Sequence, residues 1–321
     1  MGKPLPTVRP DHSAAKNGHG HGDGPTGIVQ GDSLELIQAV PSESVHLILS
    51  DIPYGIGADH WDVLHRNTNS AYLGRSPAQR LAGAVFQRRR KPINGWSAAD
   101  RRIPQEYGQW CASWASQWYR VLKPGASALV FAGRRLAHRC ACALEEAGFS
   151  VKDNLAWLRD QAPHRAQRLS LIYQRRGQQQ ACAQWQGWRV GNLRPTYEPV
   201  LWFVKPYKVG GTIADNVLNH GVGAYCQDAF LNYINAPDNV LRVGLPTAEA
   251  GLHPTQKPLR LLEALIALTT CEGQLVLDPF AGSGSTLVAA QRLARRHLGF
   301  EAQAEYVAIC KRRLGELGLS S

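Results

Sequence analysis

Short apolar runs recur along the chain, and most are closed by an acid, a glycine or a proline. Val45-His46-Leu47-Ile48-Leu49-Ser50 runs into Asp51, Leu275-Val276-Leu277 into Asp278, and His297-Leu298-Gly299-Phe300 into Glu301. Runs at 27–31, 126–132, 150–158 and 195–205 are of the same kind. Apolar stretches of about four to eight residues bounded by turn residues suit strands buried on both faces. Seven strands are expected on this count. Between them the apolar period lengthens to that of a helix. Over 104–122 the positions Tyr107, Trp110, Cys111, Trp114, Trp118, Val121 and Leu122 form one stripe. That spacing predicts an amphipathic helix whose tryptophans are core, stopped by Lys123-Pro124-Gly125. Further helices are expected at 33–40, with Asp32 or Ser33 as cap, and at 136–147, 259–269 and 304–317. Strands alternating with helices give an α/β fold with a mostly parallel sheet, and such sheets bind ligands at the carboxyl ends of their strands.

The remaining segments have no period. Residues 1–26 are rich in Gly, Pro, His and Asp and read as a disordered tail ahead of a single catalytic domain, 27–321. Three insertions interrupt that domain, at 56–105, 159–195 and 207–250. The first contains Arg88-Arg89-Arg90-Lys91, and the second interleaves arginines with Trp185 and Trp188. Basic residues among aromatics suit nucleic acid, and the formal charge of +11 points the same way. The seven cysteines are scattered without metal-ligand spacing, which implies reduced thiols and a cytoplasmic protein. No apolar run is long enough to cross a membrane, and no secretory signal is visible.

The chain is organised around Asp278-Pro279-Phe280-Ala281-Gly282-Ser283-Gly284-Ser285-Thr286, a strand end, a glycine turn and a helix start. Glycines let backbone approach a ligand, and a helix start presents unpaired N–H groups. No lysine sits where it would reach a phosphate. An acid before the turn would repel a pyrophosphate but suits a cationic cofactor carrying an amino-acid head. Glu301 follows Asp278 by 23 residues, the separation at which an acid takes ribose hydroxyls in nucleotide-binding α/β units. Asp32, Asp51, Asp278 and Glu301 all end strands and can share one cleft. Asp51-Ile52-Pro53-Tyr54 adds a second set of groups. The Asp51 carboxylate and the Ile52 carbonyl can accept the two hydrogens of an exocyclic amino group, Tyr54 can stack on a planar base, and Pro53 stiffens the turn.

Together these segments resemble the β-class amino-group DNA methyltransferases. Asp51-Ile52-Pro53-Tyr54 resembles their Asp-Pro-Pro-Tyr motif, with Ile52 where Pro is usual. Asp278–Gly284 is similar to their cofactor motif, and His253-Pro254-Thr255-Gln256-Lys257-Pro258 to the segment before it. Tyr197-Glu198-Pro199-Val200-Leu201 is also similar to a stretch of that family. The resemblance implies a circularly permuted, seven-stranded Rossmann-like sheet and S-adenosylmethionine as cofactor. It implies that Phe280, Ala281, Gly282, Ser283 and Gly284 hold the methionine portion. Glu301 would take the ribose, and Asp32 would approach the adenine. His253, Thr255 and Lys257 would lie towards the cofactor's carboxylate. The implied reaction is methyl transfer to the N6 amino group of an adenine flipped out of double-stranded DNA, with no metal. Cytosine N4 is the alternative base, and RNA or a protein glutamine amide the alternative substrates. A non-catalytic nucleic-acid-binding module is a further reading, which the intact Asp51 and Tyr54 oppose. A cognate restriction endonuclease is a candidate partner, and both monomer and homodimer stay open.

Overall fold

The computed structural model describes residues 26–54, 98–159, 166–244, 246 and 256–318. The expected tail up to residue 25, most of the 56–105 insertion, and His253 and Thr255 lie outside the described residues. In chain order the elements begin with β1 (Gly27–Gln30), α1 (Ser33–Leu36) running into a 3-10 turn (Ile37–Ala39), and β2 (Val45–Asp51). Next come α2 (Ala98–Val121), β3 (Leu122–Phe131), α3 (Ala137–Glu146) and β4 (Ser150–Leu158). A small unit follows, β5 (Gln167–Arg168), α4 (Leu169–Arg175), α5 (Gln179–Gln184) and β6 (Arg189–Val190). Then β7 (Tyr197–Val204), α6 (Ile213–His220), α7 (Gln227–Leu231) and β8 (Val240–Arg242) return to the sheet. The chain closes with α8 (Leu259–Thr269), β9 (Leu275–Asp278), α9 (Ser285–Arg292), β10 (Arg296–Glu301) and α10 (Ala304–Gly318).

The main sheet has the order β1-β10-β9-β2-β3-β7-β4-β8. The first five strands of that order are parallel, β7 runs antiparallel to both β3 and β4, and β8 is parallel to β4. The two C-terminal strands thus insert between β1 and β2, which is the circular permutation the motif order implied. Seven strands match the expected seven. The eighth, β8, is three residues long and lies in a segment read as irregular, because three residues carry no period. Alternation along the central strands divides the core between two helical layers. Ile48, Ala128 and Val130 pack with Trp114 and Trp118 of α2, whereas Leu47, Leu49, Leu129 and Phe131 pack with Leu261, Leu262 and Leu265 of α8. Both faces are covered, which is why these strands read as continuous apolar runs.

Local departures from the sequence reading have local causes. The helix expected over 33–40 is four residues of α-helix tightening into the 3-10 turn, with Asp32 as its N-cap. The tryptophan helix starts at Ala98, so Pro104 lies inside it; proline's fixed φ is helical, and one lost N–H is tolerated in a helix of 24 residues. Lys123-Pro124-Gly125 does not separate that helix from the next strand but belongs to β3. The pairing with β2 jumps there from Val45–Leu122 to Leu47–Ser127, so the three residues form an irregularity in the ladder. Gly125 has φ of +81°, and a Cβ there would overlap the Asn216 side chain. Within the 207–250 segment, α6 is set by its ends, a reciprocal Thr212/Asp215 cap and Gly221 in the left-handed conformation, and not by an apolar stripe.

Candidate active site

The parallel strands deliver their carboxyl ends to one edge, and a cavity of about 370 Å³ opens there. Asp32, Asp51, Asp278 and Glu301 line it, with Lys257 as the cation among them. β9 and β2 are neighbours, and the Ser50 hydroxyl donates to Asp278 Oδ1 at 2.7 Å, joining residues 228 positions apart. This is the point where successive connections leave in opposite directions, the usual ligand crevice of such sheets.

The glycine turn is fixed to β10. The Ala281 N–H donates to the Phe300 carbonyl at 2.9 Å, the Gly282 N–H to Glu301 Oε2 at 2.9 Å, and the Gln303 N–H to Glu301 Oε1 at 2.8 Å. Gly284 is the N-cap of α9 at φ +80°, and a Cβ there would overlap the Cys310 side chain of α10. Phe280 donates its N–H to Asp278 Oδ1 at 3.1 Å and leans on Trp110, ring centroids 5.5 Å apart. Burial pushes Asp278 up to about 6 despite hydrogen bonds from Ser50 and Thr286, and burial likewise raises Glu301. The Asp32 carboxylate accepts the Leu34 N–H at 2.7 Å, so it caps α1 while facing the cavity.

At the other wall four polar side chains meet. Lys257 Nζ lies 2.5 Å from Asp51 Oδ2 and 3.0 Å from Glu198 Oε1, and donates to the Tyr54 hydroxyl at 3.0 Å. That hydroxyl is 2.9 Å from Asp51 Oδ1 and 2.5 Å from Glu198 Oε1, with one proton to give. Arg159 approaches the outer oxygen of Glu198 at 3.5 Å. Phe131, Tyr54 and Trp157 present their rings to the Lys257 ammonium at 5.1–5.9 Å. Burial raises Asp51, helped by the Glu198 charge and opposed by Lys257 and Tyr54. Burial would raise Glu198 too, but Lys257, the Tyr54 hydroxyl and Arg159 together hold it below its ordinary value. Burial disfavours the Lys257 charge, yet the two carboxylates lift its pKa. The Ile52 N–H is spent on the Phe131 carbonyl at 3.3 Å, while the Ile52 carbonyl accepts no hydrogen bond among the described residues. Pro53 is held by its carbonyl, which accepts the Tyr107 hydroxyl at 2.8 Å.

The structure therefore brings Asp51, Ile52 and Pro53 onto the same cavity as Asp32, Asp278, Phe280, Ala281, Gly282, Ser283 and Glu301. Tyr54 adjoins it through Asp51 and Lys257, and Gly284 sits behind it as a cap. Lys257 lines the same cavity, and its ammonium is engaged there by Asp51 and Glu198. Glu198, Trp110 and Gln256 are among the residues of the site to which the sequence assigns no role. Glu198 sits in Tyr197-Glu198-Pro199, and an acid inside an otherwise apolar strand was the available signal. Trp110 packs against the core, as its place in the stripe implies, and also lines the cavity; it shares that stripe with Trp114 and Trp118, so spacing alone does not reveal the second role. Gln256 lines the cavity between Thr255 and Lys257 in sequence.

A family model described as DNA methylase, of the N6/N4 type, matches residues 45–312. The type II methyltransferase M.HindIII of Haemophilus influenzae is 50% identical over 294 residues, which covers 90% of this chain and 94% of that protein. The type II methyltransferase M2.DpnII of Streptococcus pneumoniae is 26% identical over 293 residues, covering 89% and 88% respectively. Among solved structures, the cytosine-N4-specific PvuII DNA methyltransferase aligns with a TM-score of 0.58 at 19% identity, over 90% of this chain and 86% of its own. That last likeness is one of fold. With the model spanning most of the sequence and a half-identical relative aligned nearly end to end, this chain belongs to the N6/N4 DNA methylase family.

Proposed function

We propose that the chain transfers a methyl group from S-adenosylmethionine to the N6 amino group of an adenine flipped out of double-stranded DNA. The observation that carries this reading is the Ser50–Asp278 hydrogen bond, which ties the strand bearing the acceptor motif to the strand bearing the glycine turn. The donor set fits the cofactor. Carboxylates at Asp32, Asp278 and Glu301 suit hydroxyls and a cation, and Phe280 with Trp110 provides an aromatic wall. Bound there, S-adenosylmethionine would supply an electrophilic methyl group on a sulfonium.

The chain's own part lies at the acceptor wall. An aromatic amino group is a poor nucleophile because its lone pair is delocalised into the ring. Hydrogen bonds from its two N–H groups to Asp51 and to the Ile52 carbonyl draw that lone pair out of conjugation. Lys257 and Tyr54 hold the Asp51 carboxylate in one orientation and leave it lone pairs to spare. Its raised pKa suits it to take the proton that the methylated nitrogen sheds. Adenine is preferred because an Asp opens the acceptor motif, as in the adenine-N6 enzymes it resembles; cytosine N4 presents the same chemistry.

A DNA substrate is supported by the excess of positive charge and by the β5–β6 unit. Arg168, Arg175, Arg176 and Arg189 of that unit and Arg194 just after it are exposed, as is Trp188, at 61%. By extension from the type II relatives, we assign a modification role beside a cognate restriction endonuclease in the cytoplasm of a bacterium or a phage-infected cell. No described helix is long and apolar enough to cross a membrane. Purified protein incubated with methyl-labelled S-adenosylmethionine and mixed-sequence duplex DNA, followed by digestion to nucleosides, tests the reading. Label in N6-methyldeoxyadenosine is the expected result. Label in N4-methyldeoxycytidine would overturn the base, and label only in RNA or protein would overturn the substrate.

A further inference from the structure

Gln256 is 9% exposed and lines the cavity, and neither atom of its amide has a hydrogen-bond partner among the described residues. A buried amide with both ends unsatisfied is costly, and one that faces a cavity offers both ends to a bound molecule. An amide offers one acceptor and two donor hydrogens side by side. A zwitterionic amino-acid head matches that pair, its ammonium donating to Oε1 and its carboxylate accepting from Nε2. The neighbouring cation that the resemblance assigned towards the carboxylate, Lys257, is committed to Asp51 and Glu198. Leu262 in the first turn of α8 lines the same cavity, so the positive end of that 11-residue helix stands beside Gln256 and favours a carboxylate there. The target base has less need of this amide, because Asp51 and the Ile52 carbonyl already answer its amino hydrogens.

We propose that Gln256 is the residue that grips the amino-acid head of the cofactor, a role that rests on the cofactor reading above. S-adenosylhomocysteine, which keeps the head, and 5′-methylthioadenosine, which lacks it, separate this role from general damage. Calorimetric titration of the wild-type protein and of Gln256→Met, nearly isosteric and apolar, is the experiment. Hydrogen bonds to charged groups predict a loss of roughly tenfold or more for S-adenosylhomocysteine in the variant. Binding of 5′-methylthioadenosine should change less than about twofold. Gln256→Glu keeps the acceptor but sets a negative charge against the carboxylate, and it should weaken S-adenosylhomocysteine further while sparing 5′-methylthioadenosine. Equal losses for both ligands, or no loss for S-adenosylhomocysteine, would overturn the assignment. Unchanged binding of both with weakened binding of duplex DNA would overturn it in favour of the target base. Failure of the wild-type protein to bind S-adenosylhomocysteine would overturn the cofactor reading itself, and this assignment with it.

Discussion

Replacing Lys257 by Met would leave two carboxylates facing each other across one tyrosine hydroxyl. The Lys257 side chain is 5% exposed and the Glu198 side chain 7%, while Asp51, at 21%, faces the cavity, so water reaches only one of the two acids. Removing one partner of a buried ion pair costs about 3–5 kcal/mol, and here the ammonium serves two acids. The remaining carboxyls have one relief, which is to share a proton, so the folded variant should carry a carboxyl with a strongly raised pKa. A carboxyl raised on folding stabilises the folded state below its unfolded value near 4, and that stability is lost as pH rises through the folded value. The deficit of Lys257→Met against wild type should therefore be small near pH 5 and reach several kcal/mol near pH 8. Urea denaturation at both pH values measures it, as a fall in the midpoint with the slope unchanged. The triple variant Asp51→Asn, Glu198→Gln, Lys257→Met should recover most of the loss, because the one charge it leaves unpaired, Arg159, has a side chain that is 40% exposed and reaches water. A deficit below about 1 kcal/mol, or one equal at pH 5 and pH 8, would refute the buried Asp–Lys–Glu arrangement.

Other perturbations address the reaction and the cofactor turn. Asp51→Ala should abolish methyl transfer while cofactor affinity, measured by calorimetry, stays within a few-fold; undiminished turnover would defeat the role given to this carboxylate. Asp278 is held at about 6 by burial, so ionising it costs the unliganded fold about 3 kcal/mol, a stabilisation present below pH 4 and lost as pH rises through 6. Asp278→Asn should remove that slope, and stability curves for wild type and variant that stay parallel from pH 4 to pH 8 would contradict it. Gly284→Ala combines a left-handed φ with a methyl group that meets Cys310, and should lower stability by about 2–4 kcal/mol in thermal denaturation. A shift under about 1 kcal/mol would mean that α9 and α10 do not pack as described.

How much of this was legible in the sequence depended on whether the signal was local. The buried strands show in the one-dimensional pattern because both faces of the sheet are covered, so nearly every side chain along them must be apolar. The turn at Gly282 and Gly284 shows because both have a positive φ, and at Gly284 the close approach of Cys310 excludes any side chain. The acids at strand ends show because each follows its own apolar run. Elements held by their termini were harder to see. The helix α6 rests on a cap at Thr212 and a stop at Gly221, and β8 is too short to have a period.

Tertiary structure alone decided which of the legible residues meet. Asp51 and Asp278 share a cleft because β9 inserts beside β2, a pairing between segments more than two hundred residues apart that no local pattern encodes. In the sequence Lys257 belongs to the segment that the resemblance places towards the cofactor's carboxylate; its environment of two carboxylates and three aromatic rings comes from β2 and the turn after it, β3, β4 and β7 together. Glu198 reads as a lone acid in an apolar strand until that lysine lies 3.0 Å away. Trp110 packs against the core from its stripe, and its contact with Phe280 on the cavity wall joins it to the far end of the chain. Hydrophobic periodicity is a property of each segment and its own two faces, so the chain specified its elements locally. Charge compensation and unmet hydrogen-bonding capacity are properties of a place, and that place exists only after the sheet has closed around it.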